Sequence, residues 1–199
     1  MNDSKKTLRR ELSVPCLYHE QTGKINTERT LEVAAKRAEE LDIQCVLVAS
    51  ASGKSGLIAA QLMTGKKVIV VTHSTGFAKP DHQQLLPELR EQIEEAGAQI
   101  LTCQHAFGGV GRAVRKKMGT YELDEIMAFT LRTFGEGTKV AIEIALMAAD
   151  AGLVSTQTPC ISLGGTAQGI DAALVLIPAN AQNFFDLKVL EILAKPRLN

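Results

Sequence analysis

The sequence predicts a three-layer α/β protein, in which a doubly wound and mostly parallel sheet of about five strands lies between two layers of helices. Short, continuous apolar runs alternate with amphipathic helical patterns along most of the chain, and such runs are typical of parallel strands that are buried on both faces. Loops rich in glycine and hydroxyl residues follow several of these runs directly. Strands that alternate with helices imply right-handed crossovers and therefore a parallel sheet.

The composition narrows the class of protein. Hydrophobic residues make up 45% of the 199 residues, which is typical of a folded globular chain. Lys and Arg together number 22, as do Asp and Glu, and only 4% of the residues are aromatic. This balance argues against a nucleic-acid partner. No apolar run is long enough for a signal peptide or a membrane span, so we expect a cytoplasmic protein without a membrane partner.

The cysteines give no sign of a disulfide framework or a metal site. They are scattered, and none belongs to a CxxC pair. In a cytoplasmic chain, isolated cysteines beside apolar runs are typical of small buried hydrophobic residues. We therefore expect no bound metal. The four are Cys16, Cys45, Cys103 and Cys160.

We expect a single domain over residues 1–199, with an irregular segment over 1–25 and the α/β core over 26–199. The first core helix begins near Asn26, and Thr27 is a suitable N-cap for it. Gly97 is a suitable C-cap for a later helix. The expected strands are 45–49, 67–72, 99–102, 159–163 and 173–177. The other expected helices are 57–63, 83–96, 121–134 and 138–151.

The most informative loop is Ser-Ala-Ser-Gly-Lys-Ser-Gly at residues 50–56, which joins the first buried strand to a helix. A phosphate needs free backbone amides, and the first turn of a helix supplies them. Ser50, Ser52 and Ser55 add hydroxyl groups, Gly53 allows close approach of the backbone, and Lys54 adds a positive charge. These residues predict a phosphate site. The alternative is a capped turn that binds nothing.

The same loop contains the Gly-Lys-Ser that ends a Walker A motif. That motif requires a further glycine five residues before Gly53, where this chain has Val48. We also find no apolar strand that ends in an aspartate able to hold magnesium. The loop therefore does not predict a P-loop nucleotidase.

A second glycine-rich loop, at residues 164–171, follows the fourth expected strand. Gly164 and Gly165 allow close approach to a ligand, and Thr166 offers a hydroxyl group. The alternative is an ordinary loop between two strands. The Gly-Val-Gly-Arg sequence at 109–112 follows no long apolar strand and lacks a third glycine, so it is a weak dinucleotide motif. We interpret the basic residues there as a solvated face: Arg112, Arg115, Lys116 and Lys117.

Two other side chains have a context that suggests a role. His73 directly follows a buried strand, where it can contact a ligand, transfer a proton or stabilise its own turn. Glu143 lies inside an apolar run, and a salt bridge to Lys139 explains it most simply. The sequence identifies no partner for the other histidines, which are His19, His82 and His105. It offers no catalytic constellation.

Several segments over residues 26–177 resemble, in order, the C-terminal α/β domain of pyruvate kinase. They are Asn26-Thr27-Glu28 with its helix, the strand at 46–49, the loop at 50–55, the strand that ends at Val71-Thr72, and residues 140–152 followed by a strand and Gly164-Gly165. In that domain the first loop binds the phosphate of a sugar-phosphate effector, and the loop between the last two strands covers the sugar. Here Lys54 replaces the usual arginine, and the covering loop lacks its aromatic residue and proline. Nothing resembles the catalytic barrel, so we expect no pyruvate kinase activity.

A closer resemblance is to free-standing proteins of this family in archaea and bacteria. It rests on four stretches of the sequence: N-T-E-R-T-L, V-T-H-x-x-G-F, F-G-x-G-x-K-V-A-x-E-I and G-G-T-A-x-G-x-D. This resemblance implies a domain that binds flavin mononucleotide (FMN). The resemblance also implies a strand order of 3-2-1-4-5, which places both glycine-rich loops beside the point where the strand order reverses, a common ligand site. A phosphosugar enzyme and a regulatory protein that binds a sugar phosphate are the alternatives. A homo-oligomer is compatible with the composition. The residues expected to contact the flavin ring are His73, Thr75, Gly76, Phe77, Gly164, Gly165 and Thr166.

Overall fold

The computed structural model describes residues 11–197, which fold into one seven-stranded sheet between two layers of helices. The order of the strands across the sheet is β1-β7-β6-β5-β2-β3-β4. The strands are β1 (Leu17–His19), β2 (Cys45–Ala49), β3 (Lys67–Thr72), β4 (Gln99–Thr102), β5 (Cys160–Gly164), β6 (Ala172–Ile177) and β7 (Lys188–Pro196).

The predicted fold class is confirmed. The five expected strands are β2 to β6, and they lie in the implied order 3-2-1-4-5. Only β6 is antiparallel to its neighbours, β5 and β7, and the remaining pairs are parallel. The sheet reverses its order between β2 and β5, which are adjacent and parallel.

Two strands lie where none was expected. Strand β7 pairs with β6, and β1 pairs with β7, so Leu17 lies opposite Ala194. The segment 1–25 is therefore not irregular throughout. A strand of three residues is too short to show a pattern, and the first three residues of β7 are exposed, which weakens the apolar signal of a buried strand.

The helices pack on both faces of the sheet. The first three helices lie on one face of the sheet, where residues such as Leu31 and Val46 form a core. The fifth and sixth helices lie on the other face, where a second core includes Leu47 and Ala145. The six helices are α1 (Thr27–Glu40), α2 (Lys54–Leu62), α3 (Pro87–Glu95), α4 (Gly109–Met118), α5 (Leu123–Arg132) and α6 (Glu136–Asp150).

The ends of some helices differ from the expectation. Helix α2 begins at Lys54, directly after the glycine of the loop, and α4 was not expected because Gly109 and Gly111 disfavour a helix. Thr27 is the first residue of α1 and not its N-cap. Its hydroxyl group donates to the carbonyl of Lys24 at 2.9 Å and accepts from the amide of Ile170 at 3.0 Å, so it joins α1 to the loop between β5 and β6.

Helix α6 is the central element of the second layer. It is buried from Gly137 to Ala149, and it packs on β5, β2 and β6. Because α6 runs antiparallel to the strand that follows it, its N-terminus lies at the carboxyl ends of the parallel strands. Within residues 11–197, we find no helix with the length and apolar character needed to cross a membrane.

Candidate functional site

A cleft of about 1280 Å³ lies at the carboxyl ends of the parallel strands. The loops that follow β2, β3, β4 and β5 contribute to its walls, together with the first residues of four helices, Thr27, Lys54, Pro87 and Glu136. The positive ends of these four helix dipoles therefore lie at the cleft, and this arrangement favours an anionic ligand.

The loop after β2 presents free backbone amides. The first helical hydrogen bond of α2 runs from the amide of Leu57 to the carbonyl of Gly53 at 2.9 Å. Among the described residues, the amides of residues 51–55 have no hydrogen-bond acceptor. The Ser50 hydroxyl accepts from the amide of Gly56 at 3.0 Å and so holds the loop against the helix. The loop thus has the free donors that an anion needs.

The side chains of this loop divide between the cleft and the core. Ser50, Ser52, Lys54 and Ser55 line the cleft. Gly53 does not line it: a Cβ atom there would lie 2.7 Å from Cδ1 of Leu85, and φ is +95°. The glycine therefore allows the chain before α3 to pack against the turn, and close approach of a ligand to its backbone stays a prediction.

The loop between β5 and β6 is a connection between antiparallel strands, as the alternative interpretation held. Gly165 lines the cleft, but Gly164 and Thr166 do not. A Cβ atom on Gly164 would lie 2.1 Å from the carbonyl oxygen of Gly137, so Gly164 serves the close packing of β5 on α6. These two residues do not have the ligand-facing position that we expected.

Asp171 fixes the shape of that loop, a role that sequence reasoning did not identify. Its carboxylate is buried and accepts from the amide of Gly23 at 2.7 Å and from that of Thr166 at 3.2 Å. One aspartate therefore ties the segment before α1 to the loop between β5 and β6. Both segments contribute to the wall of the cleft, at Lys24 and Gly165.

Four residues of the loop after β3 were expected to contact a ligand, and two of them line the cleft. His73 and Phe77 line it, whereas Thr75 and Gly76 are exposed and do not. The Nδ1 atom of His73 lies 2.7 Å from Oε1 of Gln84, and burial lowers the pKa of His73. A lowered pKa keeps this imidazole neutral near pH 7.

The Phe77 ring already has three partners. The imidazole of His73 is tilted against it, with ring centroids 4.1 Å apart. The imidazole of His105 stacks on it, with ring centroids 4.8 Å apart, and the guanidinium carbon of Arg112 lies 4.7 Å from its centroid. These contacts favour a role for Phe77 in anchoring its own loop. They also show that Arg112 belongs to the cleft wall and not to a solvated face, while Arg115 pairs with buried Glu125 at 3.2 Å.

Glu143 and Lys139 form the predicted salt bridge. Nζ of Lys139 lies 2.5 Å from Oε2 of Glu143, and both residues are buried where α6 lines the cleft. The amide of Phe107 donates to Oε1 at 3.0 Å, and Nδ1 of His105 lies 3.8 Å from Oε2. Burial alone would raise the pKa of Glu143, but His105 and Lys139 together lower it to about 2.

His105 is the cleft residue that sequence reasoning missed. It follows β4 in a loop with no motif of its own, and its partners come from α6 and from the loop after β3. Only the fold brings these segments together, so the order of residues along the chain contains no signal that identifies them as a group.

Comparison with known protein families gives one match, to the family described as the pyruvate kinase alpha/beta domain, over residues 28–176. A crystal structure of a pyruvate kinase from Cryptosporidium parvum is similar at 10% identity and a TM-score of 0.41, covering 76% of this chain and 22% of that chain. The Cryptosporidium parvum pyruvate kinase in complex with ADP is similar at 11% identity and a TM-score of 0.38, covering 74% and 22%.

A third solved structure, an O-ureido-L-serine synthase, is similar at 17% identity and a TM-score of 0.31. That match covers 50% of this chain and 31% of the synthase chain. The chain spans 22% of the length of the pyruvate kinases that it matches.

Proposed function

The chain belongs to the pyruvate kinase alpha/beta domain family, and we propose that it is a small-molecule binding protein that holds FMN by its phosphate in the cleft. The proposal depends on one observation above all: the amides of residues 51–55 have no acceptor among the described residues, and four of these five residues, all but Gly53, line the cleft. A phosphate placed there would satisfy these amides and the positive end of the α2 dipole.

Side chains around the amides support the same placement. Ser52 and Ser55 carry hydroxyl groups at the cleft wall, and Lys54 begins α2 without an ion pair among the described residues. Hydrogen bonds to a charged group are roughly twice as strong as neutral ones. We therefore assign the phosphate to the loop after β2.

The flavin ring requires an apolar wall, and apolar residues line part of the cleft. Val140, Ile144 and Met147 form one stripe of α6 that lines it, and Ala49 and Val71, at the ends of β2 and β3, line it as well. We place the ring on this surface and not on Phe77, since that ring already has His105 and Arg112 as partners. Gly165 lines the cleft from the side of β5, and its lack of a side chain serves the loop itself, since a Cβ atom there would lie 1.9 Å from the carbonyl oxygen of Gly169.

A phosphosugar enzyme is the second candidate, because acid–base groups lie at the same cleft. Such an enzyme needs a histidine or carboxylate base near the sugar. His73, Glu136 and Glu143 all line the cleft. In this case, as in a regulatory protein that responds to a sugar phosphate, the phosphate would occupy the same loop.

The absorbance of the purified protein separates these candidates. We expect the protein, incubated with FMN and passed through a gel-filtration column, to retain one equivalent of flavin and to show a shifted visible spectrum. An excess of glucose 6-phosphate should not displace the flavin. A colourless protein after incubation would contradict the flavin proposal, and saturable binding of the sugar phosphate by the colourless protein would favour the second candidate.

A further inference from the structure

A group of polar side chains that does not belong to the loop after β2 also lines the cleft. We name His105, Arg112 and Lys139 the basic corner. The three residues come from the loop after β4, from α4 and from α6, and each lines the cleft. Phe77 and Glu143 connect them, because His105 stacks on Phe77, Arg112 lies over the same ring, and Glu143 contacts both Lys139 and His105.

One ring nitrogen of His105 has no hydrogen-bond partner among the described residues. Its Nε2 atom is buried and has no hydrogen-bond partner among the described residues, while Nδ1 faces Glu143 at 3.8 Å. A buried polar atom without a partner is rare in a native protein and calls for an explanation. The position of His105 in the cleft wall indicates that a ligand supplies the missing partner.

Lys139 has unused donors as well. An ammonium group carries three N–H donors, and the Nζ atom of Lys139 has a single acceptor among the described residues, Oε2 of Glu143. The residue is only 2% exposed. A buried ammonium with free donors at the wall of a cleft is suited to bind an oxygen atom of a ligand.

The charges of the corner determine the charge of the ligand. Arg112 and Lys139 are cations, and Glu143 is the one carboxylate among the described residues that contacts the group, so its fixed cations exceed its carboxylates by one even before the imidazole of His105 is counted. Glu136, another carboxylate that lines the cleft, is already paired with Arg132. The corner therefore matches an anionic group, and a planar carboxylate can accept from the guanidinium fork of Arg112.

We propose that the basic corner is a second subsite that binds a small organic molecule through its carboxylate group. The planar guanidinium of Arg112 matches the geometry of a carboxylate, and Nε2 of His105 and Nζ of Lys139 donate to its oxygens. The subsite goes beyond the proposed FMN function and does not depend on it. It identifies the class of a co-substrate or effector that shares the cleft.

The test uses the chain without flavin and observes its four histidines. Two-dimensional NMR of the imidazole carbons, assigned with single histidine variants, reports each ring separately. Acetate and glycolate are the probes, and sodium chloride at equal ionic strength is the control. We expect the signals of His105 and His73 to shift saturably with either carboxylate, while that of His19, which is bonded to Thr30, does not.

Two variants make the result specific. Arg112→Gln should weaken the carboxylate response roughly tenfold or more, because it removes a charge-assisted contact. Arg112 is partly exposed and packs on Phe77. An unchanged signal of His19, which is bonded to Thr30, shows that the Arg112→Gln variant remains folded. Lys54→Ala alters the loop after β2 and should leave the response unchanged.

The outcomes separate this proposal from that of FMN. Absence of a saturable shift, a response that Arg112→Gln leaves intact, or a response that Lys54→Ala abolishes would each overturn the subsite. A stronger response to inorganic phosphate than to acetate would also overturn it. None of these results depends on flavin binding, so failure to bind FMN leaves the carboxylate test valid.

Discussion

The ammonium group of Lys139 and the carboxylate of Glu143 lie 2.5 Å apart, one turn from each other on the buried face of α6. Glu143 also accepts from the amide of Phe107, so the pair holds the loop after β4 against the helix. A buried pair gains little over apolar residues, but either charge alone in the same place is costly. The pair therefore makes the wall of the cleft sensitive to substitution.

Glu143→Gln should destabilise the protein at pH 7 by about 3 kcal/mol, because it leaves Lys139 buried without a negative partner. Urea unfolding measures the loss. Glu94→Gln is the matched control, since Arg90 and Glu94 form a pair with the same spacing on an exposed surface, where the expected loss is about 0.5 kcal/mol or less. Equal losses for the two variants would contradict the role of burial.

The difference between wild type and Glu143→Gln should depend on pH. The pKa of Glu143 in the folded state is about 2, below its ordinary value of 4.5. A depressed pKa contributes stability that is fully present above the unfolded value and is lost as the pH falls through the folded value. The difference should therefore shrink between about pH 4.5 and pH 2, and a difference that stays constant there would contradict the assignment.

Gly164→Ala should destabilise the protein by about 3 kcal/mol, because the added Cβ atom would lie 2.1 Å from the carbonyl oxygen of Gly137 and push β5 from α6. Gly152→Ala is the control: its φ is +69°, and no atom lies within 4 Å of the added carbon. It should cost only about 1 kcal/mol, for the left-handed backbone. Thermal unfolding compares the two, and an equal loss would mean that β5 and α6 can move apart freely.

Phe77→Ala should lower the thermal stability modestly, by about 1 kcal/mol, because the contacts with His105 and Arg112 disappear. The affinity for FMN should change less than twofold, since the proposed ring surface lies on α6. If flavin retention falls while the melting temperature is preserved, the loop after β3 belongs to the flavin site, as the sequence led us to expect.

Ser52→Ala and Lys54→Ala should each weaken FMN binding roughly tenfold or more, because each removes a contact to the charged phosphate. Isothermal titration measures the affinity. Lys36→Ala removes a lysine from the exposed side of α1, where its side chain is 79% exposed, and should leave the affinity unchanged. Unchanged affinity in both loop variants would place the ligand elsewhere.

The sequence predicted the parts of this protein that depend on local patterns. The strands at residues 45–49 and 67–72 are continuous apolar runs and were identified correctly. The loop at 50–56 was recognised by its glycines and serines, although its last three residues belong to α2. Strands β1 and β7 were missed because short or exposed strands lack such a pattern. The orientation of Gly53 and Gly164 was also missed, since only the packed structure shows which neighbours a glycine accommodates.

The basic corner could not be predicted for a related reason. Its residues lie in three segments, and α4, which carries Arg112, begins with glycines that disfavour a helix. Glu143 and Lys139 were identified because they are four residues apart on one helix. His105 approaches them only through the crossover connections of the sheet, so its role depends on the fold.

The most direct test of the phosphate site compares the affinity of the protein for FMN with its affinity for riboflavin, which has the same ring system and no phosphate. Several charge-assisted contacts at residues 51–55 should make FMN bind at least about a hundredfold more tightly, and the double variant Ser52→Ala/Lys54→Ala should remove most of that preference. Equal affinity for the two flavins, or a preference that the double variant leaves intact, would contradict the assignment of the loop after β2 as the phosphate site.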